Sequence, residues 1–263
     1  MEFFIYLFAG MFAGLLSGLF GVGGGLIIVP ILSVVFTGLA FPGQHIMHLA
    51  LGTSLATIIF TSIASTRAHH KRANVDWHVV RRITPGIVLG TLLGSVVASG
   101  LQTAWLEVIF AAFVFFAATQ ILFNFSPDPG REMPGALGTG MAGMGIGAVS
   151  SLVGIGGGTL SVPFLVYCNT AIKKAIGTSA AIGLPIALSG TIGFMANGLR
   201  VETLPEFSLG YVYLPALFGI VLASSLAAPY GARLAHWLPA MVLKRAFAIL
   251  LYLIGLKMLF GIL

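Results

Sequence analysis

The 263-residue chain reads as an all-α polytopic membrane protein of two inverted-topology repeats. Each repeat holds about five helical segments with a Gly-rich break between the first two, for 8 to 10 membrane segments in total. Three features lead there. The composition is 58% AVILMFWYC and only 8% charged, with a mean hydropathy of +1.04. A soluble domain carries about 25% charged residues, so this chain lacks the polar surface to stay in water. Next, Phe3 to Thr66 is a run of 64 residues without a charge. As helix it would reach about 96 Å, roughly three hydrocarbon thicknesses, so it must cross or re-enter the bilayer several times.

The third feature is an internal duplication. Residues 10–30, GMFAGLLSGLFGVGGGLIIVP, align with residues 143–163, GMGIGAVSSLVGIGGGTLSVP, at an offset of 133, and 11 of 21 positions are identical. The echo continues with drifting offset: Gly52-Thr53-Ser54 recurs as Gly177-Thr178-Ser179, Pro85 as Pro215, and Leu106, Phe110 and Ala111 as Leu243, Phe247 and Ala248. The expected division is 1–123 as the first transmembrane repeat, 124–134 (NFSPDPGREMP) as a cytoplasmic linker, and 135–263 as the second repeat. Three prolines and mixed charges mark the linker as a loop.

The expected helical pieces are 3–20, 25–37, 46–66, 82–100 and 104–123, then 135–153, 158–168, 173–196, 208–229 and 239–262. The first piece of each half carries Gly10, Gly14, Gly18 or Gly143, Gly147, Ser151, a small-xxx-small spacing that lets helices approach closely. Gly86, Gly90 and Gly94 repeat that spacing in the fourth piece. The glycine runs separate pieces one and two, because glycine costs about 1 kcal/mol per residue within a helix. The first two pieces therefore either both span or fold as a re-entrant hairpin, and in both cases each half is expected to cross an odd number of times. Pro30 and Pro163 follow as kink or shortening points.

Charge placement tests the inversion. With the loop 67–82 in the cytoplasm, Arg67, Lys71, Arg72, Arg81, Arg82, Arg131, Lys173, Lys174, Arg233, Lys244 and Arg245 all fall inside, 11 of the 13 basic residues. Only Arg200 and Lys257 fall outside, and the duplicated position Glu107/Lys244 changes sign with its side. Both termini are then periplasmic. Trp77, Trp105 and Trp237 sit at span ends as an aromatic belt. Met1-Glu2-Phe3 offers no basic n-region, so the first apolar run is expected to remain as helix.

These observations exclude several classes of function. The net charge of +6 follows from the positive-inside rule, so nucleic-acid binding is not expected. A lone Cys168 rules out an internal disulfide and a cysteine metal cluster. No nucleophile–base set, phosphate loop or carboxylate pair lies at membrane depth, so no enzyme activity, cofactor or metal is expected.

The candidate substrate-binding residues are Gly21, Gly23, Gly24 and Gly25 with Thr53, Ser54 and Thr57, and in the second half Gly154, Gly156, Gly157 and Gly158 with Thr178 and Ser179. Broken backbone at membrane depth is tolerated only where it is buried in protein or lines a cavity. A helix restarting there aims free N–H groups and a positive dipole end at an anion. The plainer alternative is close helix packing. Hydroxyls at helical spacing can donate to a substrate oxyanion or bond back to their own helix. His45 and His48 are candidates for proton transfer or gating, with an interfacial role as the plainer reading. Because no carboxylate lies near the bilayer centre, no coupling ion is expected to be strictly required.

GLLSGLFGVGGGLIIVPIL, its copy GAVSSLVGIGGGTLSVPFL, the Gly-Thr-Ser elements at 52 and 177 and the closing FAILLYLIGLKMLF resemble the sulfite exporter TauE/SafE family, also called the toluene-sulfonate uptake permease family. The resemblance covers essentially the whole chain, with the paired motif on Gly21 to Pro30 and Gly154 to Pro163. It implies a bacterial inner-membrane permease for sulfite, organosulfonates or related anions. Val75-Asp76-Trp77 is similar to the family's usual loop, whereas Glu206-Phe207 departs from it. The expected partners are a small anionic substrate and the lipid bilayer, with a homodimer left open. A carboxylate or amino-acid-like substrate, or an anion channel, remain the alternatives.

Overall fold

A computed structural model describes residues 2–20, 24–123, 130, 132–235 and 239–260. Gly21, Gly23, Arg131, Trp237 and most of the 124–134 linker lie outside the described residues. The helices are α1 (Glu2–Phe20), α2 (Gly25–Gly38), α3 (Ile46–Lys71), α4 (Trp77–Gly100) and α5 (Thr103–Leu122), then α6 (Ala136–Val153), α7 (Gly158–Tyr167), α8 (Ile172–Gly198), α9 (Leu214–Ala235) and α10 (Ala240–Phe260). Among the described residues, α3, α4, α5, α6, α8 and the Leu214–Gly231 part of α9 are long and apolar enough to cross a bilayer. The protein is a multi-pass helical membrane protein. Its exposed apolar side chains, Phe8, Leu93, Phe116, Ile192, Phe218 and Leu253 among them, form the surface that lipid solvates.

Some boundaries differ from the sequence reading. The basic stretch 67–82 is mostly helix: α3 continues through Lys71 and α4 begins at Trp77. Lys71 on the last turn of α3 complements its negative dipole end. The Asp76 carboxylate caps α4, accepting from the N–H groups of His78 (3.1 Å) and Val79 (3.3 Å). The piece expected at 208–229 starts instead with a small hairpin, β1 (Ser208–Leu209) paired antiparallel with β2 (Val212–Tyr213). Gly210, at φ +55°, makes its turn, and only then does α9 begin. Pro85 lies in the third turn of α4 and Pro215 in the first turn of α9, so these two prolines are not equivalent.

Packing follows the small-residue stripes. α1 runs parallel to α9: a Cβ at Gly10 would meet Ile220 and Ala223, one at Gly14 would meet Ser224, and Gly231 abuts Leu15. α4 runs parallel to α6 in the same way, with Gly86 against Gly140, Gly90 against Met144 and Gly94 against Ala148. α3 and α8 are antiparallel, since Gly52 lies beside Phe194, Gly190 beside Leu55 and Gly183 beside Ser62. α5 packs on α10, α2 on α3 and α7 on α8. Each packing pair maps onto another pair, or onto itself, when the first five helices are exchanged with the last five.

Candidate functional site

The two glycine breaks adopt matching backbone. Gly24 has φ +79° and Gly157 φ +76°, a region that only glycine enters without strain, and the two are 133 residues apart like their sequence motifs. After each, a helix restarts. The Gly24 carbonyl accepts from the N–H groups of Ile27 (3.0 Å) and Ile28 (2.9 Å), and the Gly157 carbonyl from those of Leu160 (3.0 Å) and Ser161 (2.7 Å). The first N–H groups of α2 and α7 have no acceptor within their own helices, so each restart presents donors and a positive dipole end. The tips touch: a Cβ on Gly25 would lie 2.7 Å from the Gly154 carbonyl oxygen and 2.9 Å from the Ile155 Cα.

A cavity of about 880 Å³ begins at these breaks, where Gly24, Gly156 and Gly158 form its wall. It runs to the end of the bundle where α3 and α5 finish and α8 and α10 start, reaching His69, Gln120, Ile172 and Lys244. Most of its polar lining is hydroxyl: Ser17, Thr61, Ser62, Ser65, Thr159, Ser179, Ser224 and Ser225. Ile28, Ile58, Ile155 and Val162 supply apolar wall, and among the described residues no carboxylate lines it. Hydroxyl and backbone donors with a cation at the mouth suit an anion.

The Gly-Thr-Ser elements have a shared role that their sequence alone did not disclose. The Thr53 hydroxyl accepts the Tyr213 N–H at 3.0 Å, and the Thr178 hydroxyl accepts the Asp76 N–H at 2.9 Å. Tyr213 and Asp76 are the residues just before α9 and α4, so each threonine pins the start of the other half's fourth helix. The preceding glycines, Gly52 and Gly177, let the Tyr211 and Asn74 carbonyls come close. Both threonines are fully buried, and neither lines the cavity.

The serines differ from each other. Ser54 donates to the Gly154 carbonyl at 2.9 Å, tying α3 to the opposite break, while Ser179 reaches the cavity and lies 2.7 Å from the Ser161 hydroxyl. Thr57 bonds back to the Ser54 carbonyl at 2.6 Å. Pro30 is buried within α2, and Pro163 lines the cavity from α7; both helices continue through their prolines.

His45 and His48 are at the opposite end. The buried His48 ring stacks on Tyr211 at 4.9 Å with its Nε2 3.0 Å from the Ala98 carbonyl, and His45 lies 5.8 Å from it, so neither reaches the cavity. That end is filled by rings: Phe36 contacts Tyr6, Phe41 and Tyr213 with centroids 6.5, 5.0 and 5.7 Å away. Cys168 is buried, which pushes its thiol above the ordinary range and leaves it a poor nucleophile. Among the described residues, no three His, Cys, Asp or Glu side chains are grouped to hold a metal.

The residues missed from the sequence are mostly the lining hydroxyls Ser17, Ser62, Thr159, Ser224 and Ser225, together with Lys244. A signal existed for one: Ser17 is identical to Ser150 in the aligned repeat.

A multi-pass bundle whose broken helices open on a membrane-depth cavity is the architecture of a membrane transporter. Kinship agrees: a probable membrane transporter protein of Haemophilus influenzae is 39% identical over 253 residues, 96% of each chain. Probable membrane transporter proteins of Methanocaldococcus jannaschii and Bacillus subtilis are 28% and 25% identical, over 80% and 94% of this chain and 78% and 96% of theirs. The sulfite exporter TauE/SafE family model matches residues 6–258, and the chain belongs to that family. No solved structure matches it.

Proposed function

We propose that the protein is a secondary transporter of small sulfur-containing anions, sulfite or organosulfonates, working by alternating access between two inverted repeats in a bacterial inner membrane. The observation that carries this reading is the 880 Å³ cavity, which joins the two glycine breaks to one end of the bundle and offers, among the described residues, hydroxyls without carboxylates. Its blind end is the substrate seat, where the α2 and α7 N-termini and Ser17, Ser62, Ser179 and Ser224 converge on the anion. The antiparallel course of α3 and α8 supports inversion, because equivalent helices run oppositely only when the relating axis lies in the membrane plane.

The cavity opens toward the end that carries the basic residues, which the positive-inside rule assigns to the cytoplasm. The ring cluster around Phe36 closes the periplasmic end, so the anion is exposed to one side at a time. That closure favours a transporter over an open channel. With no carboxylate among the described lining residues, outward anion movement draws on the membrane potential, about 2.3 kcal/mol per charge per 100 mV.

Thermal-shift measurements on purified protein with sulfite, thiosulfate, sulfoacetate, taurine and matched carboxylates test the assignment. Stabilisation by the sulfur anions is expected. Stabilisation by carboxylates alone would replace the substrate class while leaving the transport site in place.

A further inference from the structure

The same serine stands at both glycine breaks. Ser17 and Ser150 match in the aligned repeats, and each hydroxyl oxygen lies 3.6 Å from where a Cβ on Gly24 or on Gly157, respectively, would be. Ser17 and Gly24 line the cavity, whereas Ser150 and Gly157 do not. The Ser150 side chain is fully buried, and its hydroxyl has no hydrogen-bond partner among the described residues. Buried polar groups are nearly always paired, and a helical serine can satisfy itself on the carbonyl four residues back. Ser150 makes no such bond and stands instead beside Gly157, the residue that caps α7.

Two isoleucines close this second break. A Cβ on Gly157 would collide with the Ile186 side chain and lie 3.7 Å from that of Ile146, and both isoleucines are buried. Their counterparts in the first half are Thr61 and Ala13, at the offsets of 125 and 133 fixed by the Gly-Thr-Ser and glycine motifs, and both of those line the cavity. Apolar bulk thus occupies the second break where the first has open space. A second unpartnered hydroxyl is close by: Thr91, also fully buried, lies 2.7 Å from where a Cβ on Gly147 would be, one turn before Ser150 on α6. Counted from the starts of α4 and α9, Thr91 corresponds to Ala228, which lines the cavity.

We propose that Ser150, Thr91 and the α7 N-terminus form a second seat for the substrate anion, sealed in this conformation by Ile146 and Ile186 and occupied in the conformation open to the other face. The inference rests on the alternating-access reading. The α7 tip then holds the anion in both conformations: Gly158, near Ser179, serves the present cavity, and Gly157, near Ser150, serves the sealed one. An anion is the acceptor that both orphan hydroxyls lack here, and hydrogen bonds to a charged group are about twice as strong as neutral ones.

The test is uptake of radiolabelled sulfite, and separately of toluenesulfonate, by vesicles of both orientations. Ser150→Ala should raise half-saturation about tenfold on the face opposite the basic loops and less than twofold on the basic-loop face, and Ser17→Ala should do the reverse. Thr91→Val should act in the same sense as Ser150→Ala. Without anion, Ser150→Ala should melt no lower than the unmodified protein, because the hydroxyl it removes has no partner to lose. In vesicles that do transport, half-saturations that shift equally on the two faces or not at all, or a lowered melting temperature of Ser150→Ala without anion, would overturn this inference alone. Absence of protein-dependent flux of either probe would overturn the transport reading and this inference with it.

Discussion

At one end of the bundle Tyr6, Phe36, Phe41 and Tyr213 interlock edge to face and stacked, with Phe36 fully buried; at the other, an 880 Å³ cavity descends between hydroxyls to the glycine breaks. The same backbone plan builds both ends. Tyr6 corresponds to Thr139 and Phe36 to Asn169 at the offset of the first two helices, and Tyr213 corresponds to Asp76 as the residue preceding α9 and α4. Where three rings pack together at one end, the corresponding positions at the other hold three small polar residues, none of which lines the cavity. Thr139 donates to the Pro134 carbonyl at 2.8 Å, and Asp76 caps α4.

The largest effect should come from the ring cluster. Phe36→Ala removes a fully buried ring and should cost about 3–5 kcal/mol in detergent unfolding. Thr139→Ala, at the equivalent level of the other end, should cost only about 1–3 kcal/mol, through the Pro134 carbonyl left without its donor. Equal losses at the two positions would erase the distinction between the ring cluster and its polar counterpart.

The hairpin tips sharpen the same contrast at membrane depth. A Cβ on Gly25 lies 2.7 Å from the Gly154 carbonyl oxygen, whereas on Gly158 its nearest neighbour is the Ser179 hydroxyl at 3.8 Å. Gly25→Ala should therefore destabilise by about 1–3 kcal/mol through overpacking. Gly158→Ala should fold normally and weaken anion-induced thermal stabilisation, because its methyl group projects toward the cavity. A Gly158→Ala protein with unaltered anion response would remove that tip from the site.

The smallest expected effect tests equivalence rather than difference. Thr53→Val and Thr178→Val each strip one acceptor from a buried loop N–H and should each cost about 1–2 kcal/mol. Melting temperatures that fall by similar amounts would support matched latches. A loss confined to one variant would show that only one of the two latches bears on stability.

Ten helical pieces were legible in the chain because each is an uncharged run bounded by glycine, proline or charge, and lipid allows helix as the way to satisfy backbone there. The left-handed glycines were legible as breaks, since four glycines in five positions oppose any helix. Their neighbours were harder. Thr53 and Thr178 read as substrate donors, yet the structure engages both with loop N–H groups from the other half, contacts 160 and 102 residues away in sequence. Ser62 and Ser224 stand in no motif, and only the crossing of α3, α8 and α9 turned them to a common cavity. The hairpin before α9 was hidden because its apolar residues match a membrane helix in composition.

By itself, then, the sequence determined the solvent, the helices, the duplication and the position of both breaks, since hydropathy, glycine strain and repeat identity are local properties of the chain. Tertiary structure alone decided which hydroxyls meet at the cavity, which threonines hold the other half together and which end closes. Those depend on side chains more than a hundred residues apart being brought within a few ångströms, and no local pattern encodes that distance.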